Sequence, residues 1–123
     1  MSESPHIIIF DDHIELAEML STSLQRKGYC ARVVRETNEI IDHLKTNPDV
    51  APLLLIDAYI GERLGARIAV DIKKVFPDIQ IVVMSGYCSA QIEGLDVLLG
   101  NGVVRAFITK PFPVNALLSY LAA

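Results

Sequence analysis

The sequence has no tryptophan, two cysteines, no excess of positive charge and no long apolar run. Each shortage excludes something. A membrane helix needs about 20 consecutive apolar residues, and no stretch approaches that. Met1-Ser2-Glu3-Ser4-Pro5 does not follow the basic-then-apolar pattern of a signal peptide, which predicts a cytoplasmic protein with no membrane partner. Cys30 and Cys88 are far apart and show no metal-ligand spacing, so they read as reduced thiols. A net charge of −4 gives no electrostatic reason to bind nucleic acid.

Hydrophobic residues make up 51% of the 123 positions, which fits one domain with a real core and argues against disorder. The most informative stretch is Leu53-Leu54-Leu55-Ile56-Asp57. Four apolar residues in a row predict a strand buried on both faces, as in a parallel sheet. The run ends on a carboxylate, and Ala58-Tyr59-Ile60-Gly61 reads as a turn. In open α/β sheets ligands sit at the C-terminal edge of the strands, and Asp57 falls there.

Read in order, Ile7-Ile8-Ile9-Phe10 is strand one and ends at Asp11-Asp12. Helix one spans Ile14 to Lys27, with Ala17, Leu20 and Leu24 on one face and Gly28 as its stop. Cys30 to Val34 is a weaker edge strand. A helix over Asn38 to Thr46 turns Ile40, Ile41 and Leu44 inward and ends before Asn47-Pro48. Leu64 to Phe76 is a helix with Ile68, Ile72 and Val75/Phe76 on its buried stripe. Ile79 to Met84 is strand four, Gln91 to Leu99 a shorter helix stopped by Gly100-Asn101-Gly102, Val104 to Thr109 strand five, and Val114 to Leu121 the last helix. Alternating strands and helices predict a parallel sheet covered on both faces.

In such a sheet Asp11, Asp12, Asp57, Ser85 and Lys110 all lie at strand ends on one edge and can converge. Taken singly, each has a structural explanation: a helix cap for Asp11-Asp12, turns for Asp57 and Ser85-Gly86, a solvated side chain for Lys110. Together they describe a site. Three carboxylates repel one another, Lys110 supplies one positive charge, and a hard dication such as Mg²⁺ suits the remaining oxygens. A cation, a lysine and a hydroxyl around a free carboxylate suit phosphoryl transfer, with Asp57 as the nucleophile. His6, His13 and His43 show no ligand spacing and read as surface residues.

The motifs Phe10-Asp11-Asp12, Leu55-Ile56-Asp57, Val83-Met84-Ser85-Gly86 and Thr109-Lys110-Pro111-Phe112 resemble those of the receiver domain of bacterial two-component response regulators. The resemblance covers nearly the whole chain. It implies a flavodoxin-like five-stranded sheet in the order 2-1-3-4-5 with helices on both faces, and one receiver domain over residues 1–123 without an output domain. It implies phosphoryl transfer to Asp57 from the phosphohistidine of a histidine kinase or histidine phosphotransfer domain. Mg²⁺ is expected on Asp12, Asp57 and the Tyr59 carbonyl, with Asp11 reaching it through water. Ser85 and Lys110 are expected at the phosphoryl group, Ser85 and Phe107 as a switch pair, and the Lys110-Pro111 bond as cis.

Some positions depart from the family pattern. Gly61 replaces a common proline, which predicts a more mobile loop, Phe107 replaces a common tyrosine, and Pro113 stands where an acidic or polar cap is frequent. Tyr59 and Tyr87, placed to shield the acyl phosphate from water, predict slow dephosphorylation. Val114 to Ala123 carries no charge, and Leu117, Leu118, Tyr120 and Leu121 make it apolar beyond the needs of a core. That predicts a docking or self-association surface within residues 90–123. Two other functions share features with this one. A haloacid-dehalogenase-type phosphatase or phosphotransferase needs an acid two residues after the nucleophile, where this chain has Tyr59. A receiver-like binding module that is never phosphorylated has no need of the complete acid, hydroxyl and lysine set. The sequence therefore favours a switch over a turnover enzyme.

Overall fold

The computed structural model describes residues 6–46, 52–86, 94–110 and 112–121, the side chains of residues 120 and 121 excepted. Five parallel strands form one sheet: β1 (His6–Phe10), β2 (Cys30–Val34), β3 (Leu53–Asp57), β4 (Gln80–Ser85) and β5 (Ala106–Thr109). Their spatial order is β2-β1-β3-β4-β5, the expected flavodoxin-like arrangement. The order reverses between β1 and β3, and ligands of such sheets bind at that switch point. β3 is central and buried at every residue, which is why it reads as an unbroken apolar run. β2 has one neighbour and alternates exposed with covered residues, leaving Cys30 exposed at the sheet edge.

Strand side chains alternate between faces, and the two faces carry separate cores. Ile8, Phe10, Leu54 and Ile56 pack with Ile40 and Leu44 of α2 (Thr37–Thr46), Ile68 and Ile72 of α3 (Gly65–Val75), and Leu95 of α4 (Leu95–Gly100). Ile7, Ile9, Leu53 and Leu55 pack with Ala17 and Leu24 of α1 (Ile14–Arg26) and Leu117 of α5 (Val114–Leu121). α1 ends in a Schellman motif. Gly28, at φ +92, donates its N–H to the Gln25 carbonyl, and Tyr29 donates to the Leu24 carbonyl.

Several expectations are corrected. Ala58 to Gly61 is not a simple turn: Tyr59–Ile60 pairs antiparallel with Arg63–Leu64, around Gly61 at φ +62. Two-residue strands are too short to leave a periodic signal. Val75 is exposed, and Phe76 alone takes the packing position at that end of α3. Gly100 is still helical, so the stop falls at Asn101 and Gly102 (φ +83). The start of the helix expected from Gln91 lies outside the described residues. On α5, Leu117 is fully buried and Leu118 packs against the α1-side core, while the side chains of Tyr120 and Leu121, the rest of the expected apolar surface, lie outside the described residues. His43 is half-buried, its ring 5.7 Å from that of His6, and is not a surface residue.

Candidate functional site

The alternation that builds the two cores also builds the site. Asp11 continues the series Ile7, Ile9; Asp57 continues Leu53, Leu55; Lys110 follows Ile108 by two residues. All three therefore leave the sheet on its α1/α5 face, just beyond its C-terminal edge. Lys110 Nζ donates to Asp11 Oδ2 at 2.8 Å and to Asp57 Oδ2 at 3.0 Å. Asp11 and Asp57 are both buried, while the lysine side chain is 24% exposed.

The backbone around Asp57 is tightly held. Ala58 N–H donates to the Met84 carbonyl at 2.8 Å, and Gly65 N–H donates to the Ala58 carbonyl at 2.7 Å. Gly65 opens α3 directly against Asp57: a Cβ there would lie 2.0 Å from the Asp57 carbonyl oxygen. Only glycine permits that approach. On the other side, Lys110 N–H donates to the Ser85 carbonyl at 2.7 Å, which ties β5 to the end of β4.

Asp12 points outward. Its Oδ2 accepts the Gly61 N–H at 2.9 Å, joining the β1–α1 loop to the hairpin after β3. Neither acid caps α1 with its side chain; the N-cap is His13, whose N–H donates to Asp11 Oδ1 at 2.9 Å. His13 is the residue that sequence reasoning missed. Its Nδ1 lies 3.6 Å from Asp11 Oδ1 and 3.7 Å from Asp12 Oδ1. Its position directly after the acid pair was the available signal.

Burial pushes the Asp57 carboxyl above the ordinary carboxylate range; Lys110 opposes this and the Asp11 charge adds to it. Burial acts on Asp11 in the same sense, but hydrogen bonds from Lys110 and the His13 N–H outweigh it and hold Asp11 below that range. Burial would lower the lysine, yet its two carboxylate partners hold it above its ordinary value. One lysine thus serves two buried acids unequally.

Of the remaining predicted residues, Ser85, Tyr59 and Phe107 are described. Ser85 is buried at the end of β4, and Tyr59, in the hairpin, points its N–H toward Asp57 Oδ1 at 3.4 Å. Phe107 is half-buried against the α2/α3/α4-side core, so Phe107 lies on the other face of the sheet from Lys110. Pro111 and Tyr87 lie outside the described residues, and with them the expected cis bond. Leu16 and Met19 of α1 are exposed although large. They line a groove of about 540 Å³ that runs from Asp11 and Lys110 between α1, Phe112 and Val114.

One ligand atom from each of Asp11, Asp12, His13 and Asp57 lies within 4.8 Å of all the others. Oxygens at such separations can share one cation at bond lengths of about 2.0–2.6 Å. The donor set therefore fits a divalent metal ion.

Residues 7–122 match the model of the response regulator receiver domain, and the chain belongs to that family. Among curated proteins, the transcriptional regulatory protein BaeR of Escherichia coli is 26% identical over 110 residues, covering 89% of this chain and 43% of BaeR. The nitrogen assimilation regulatory protein NtrX of Azorhizobium caulinodans is 28% identical over 114 residues, covering 90% of this chain and 24% of NtrX. The chain thus spans less than half the length of either relative. A CheY-like receiver domain protein from Methanospirillum hungatei superposes with a TM-score of 0.78 at 21% identity, covering 98% of this chain and 92% of that one. TrrA of Thermotoga maritima, solved with Mg²⁺-BeF, gives 0.75 at 19%, with 96% of each chain covered. A Burkholderia pseudomallei response regulator, solved with a phosphorylated aspartic acid and a calcium ion, gives 0.74 at 23%, covering 94% of this chain and 65% of that one. These likenesses show the fold.

Proposed function

We propose that the chain is the phosphoacceptor switch of a two-component phosphorelay, taking a phosphoryl group onto Asp57 from the phosphohistidine of a histidine kinase or histidine phosphotransfer domain. The observation that carries this reading is Asp57 itself, a buried carboxylate at the end of the central strand with Lys110 Nζ 3.0 Å away. An Asp57 carboxylate oxygen attacks phosphorus, the bond to the donor nitrogen breaks, and its electron pair stays on the imidazole, which takes up a proton. Lys110 follows the charge from the carboxylate to the phosphoryl oxygens, and Ser85 donates to another of them. Asp12, Asp57 and the Tyr59 carbonyl, with Asp11 beside them, would hold Mg²⁺, which would supply the charge neutralisation that the three acids and the phosphoryl oxygens need.

The donor packs on α1. Leu16 and Met19 give it apolar purchase, and their groove leads directly to Asp11 and Lys110. The response leaves by the other end of the sheet. Ser85 draws toward the phosphoryl group, Phe107 changes its packing, and the face of α4, β5 and α5 within residues 90–123 meets a protein partner or a second copy, in the cytoplasm and without nucleic acid. The chain acts as a switch and not as a turnover enzyme. The dehalogenase-type alternative is not favoured, because residues 7–122 match the receiver family. Tyr59 stands beside Asp57 and slows the loss of the phosphoryl group to water.

The test is intact mass after incubation with a small phosphodonor, with and without Mg²⁺. One phosphoryl adduct that requires Mg²⁺ and is lost in Asp57→Asn is expected. Equal labelling of that variant would overturn the assignment.

A further inference from the structure

The geometry points to His13 as a nitrogen ligand of the acid site, one that makes this site prefer a borderline dication such as Co²⁺ or Zn²⁺ to Mg²⁺. The inference rests on the metal-assisted reading of Asp57 given above. His13 is the N-cap of α1, and its own N–H is fixed on Asp11 Oδ1 at 2.9 Å. The ring then stands beside the acids, with Nδ1 3.6 Å from Asp11 Oδ1 and 3.7 Å from Asp12 Oδ1. Those distances exceed a hydrogen bond. They match neighbouring donors on one ion, which at bond lengths of about 2.0–2.2 Å sit roughly 3–4 Å apart.

The remaining lone pairs agree with this. Lys110 takes Asp11 Oδ2 and Asp57 Oδ2, so the other oxygen of Asp11 is the one that faces the ring. The imidazole side chain is 70% exposed. Asp11, Asp12, His13 and Asp57 together offer oxygens from two elements and one nitrogen, all within 4.8 Å of one another. An oxygen-only site suits Mg²⁺, which keeps its waters and gains little from imidazole. A nitrogen donor favours the later first-row dications, whose affinities for such sites rise toward copper. His13 therefore leaves Mg²⁺ binding nearly as the acids set it and adds affinity for Co²⁺ and Zn²⁺.

With no tryptophan in the chain, calorimetry is the suitable probe. The parent and His13→Ala are titrated with Mg²⁺ and with Co²⁺. The parent should bind Co²⁺ more tightly than Mg²⁺. His13→Ala should weaken Co²⁺ binding at least about tenfold and Mg²⁺ binding less than about twofold. In ring-¹⁵N NMR spectra, Zn²⁺ should shift His13. Equal losses for the two metals, no loss for either, or Zn²⁺ shifts confined to His6 and His43 would overturn the inference. Asp12→Asn and Asp57→Asn, titrated with Mg²⁺ alone, separate the two levels. Mg²⁺ affinity that survives both variants contradicts the metal-assisted reading itself. Mg²⁺ affinity lost in them, with His13→Ala silent toward Co²⁺, removes the role of His13 alone.

Discussion

Asp11 and Asp12 are adjacent in the chain and sit in opposite surroundings. Asp11 is 2% exposed and bound by Lys110, whereas the Asp12 side chain is 45% exposed and accepts the Gly61 N–H. Asp57 belongs with Asp11, inside, and His13 belongs with Asp12, outside. The inner half is a fixed triangle of two acids and one lysine, built by the strand alternation that builds the core. The outer half is a rim of groups held by loops. The comparison teaches that charge alone does not define the site. The inner acids are poised against each other through a shared cation, and the rim groups are held by the loops that carry them.

Four substitutions sharpen or break this division, from the largest effect to the smallest. Gly65→Ala inserts a methyl 2.0 Å from the Asp57 carbonyl oxygen, where backbone must move. It should lower the unfolding free energy by about 3 kcal/mol in denaturant titration and displace Asp57. A neutral result would mean that the inner half is not rigid.

Lys110→Ala leaves two buried acids without their shared cation. A loss of roughly 2 kcal/mol at pH 7 is expected in the absence of divalent metal. It should shrink on adding Mg²⁺ or on lowering the pH, because Asp57, with its raised pKa, takes up a proton first.

Asp57→Asn should act in the opposite sense. The folded carboxyl holds its proton more tightly than the unfolded one. Its contribution to stability is therefore full below the unfolded pKa and is lost as pH rises through the folded pKa. At neutral pH without metal the variant should be more stable than the parent, and the gain should vanish in acid. Asp11, with its lowered pKa, stabilises above its unfolded pKa and loses that contribution as pH falls through the folded one. A destabilised Asp57→Asn would show that the two inner acids are not held unequally.

Asp12→Ala tests the rim. Its side chain is exposed, so stability should change by less than about 0.5 kcal/mol, while Mg²⁺ affinity measured by calorimetry should fall steeply. A large stability loss with normal metal affinity would reverse the roles of the two halves.

The inner half was legible in the sequence because it extends what sequences show best. Apolar runs give strands, strands alternating with helices give a parallel sheet, and the residues after each run then share one edge. Of the rim, Asp12 was legible as the second acid of the pair, and His13 was not. The contact of His13 with the acids depends on how one loop turns, and it follows no ligand spacing. The Tyr59–Leu64 hairpin is shorter than any periodic signal. Helical periodicity marked Ala17 and Leu24 as core but was silent about Leu16 and Met19, whose exposure depends on what α5 leaves uncovered. On α5 the count of leucines suggested an exposed stripe, and packing against the α1-side core absorbed Leu117 and Leu118. Gly65 carried no sequence signal of its contact with Asp57, since a glycine at a helix start has many uses.

The most direct measurement is to locate the phosphoryl group after labelling with a small phosphodonor and Mg²⁺, by reducing the acyl phosphate with borohydride and sequencing the peptides. Accessibility alone would favour Asp12, the exposed acid of the site. The inner architecture predicts modification at Asp57 and at no other carboxylate. Label on Asp12 or Asp11 in place of Asp57 would contradict it.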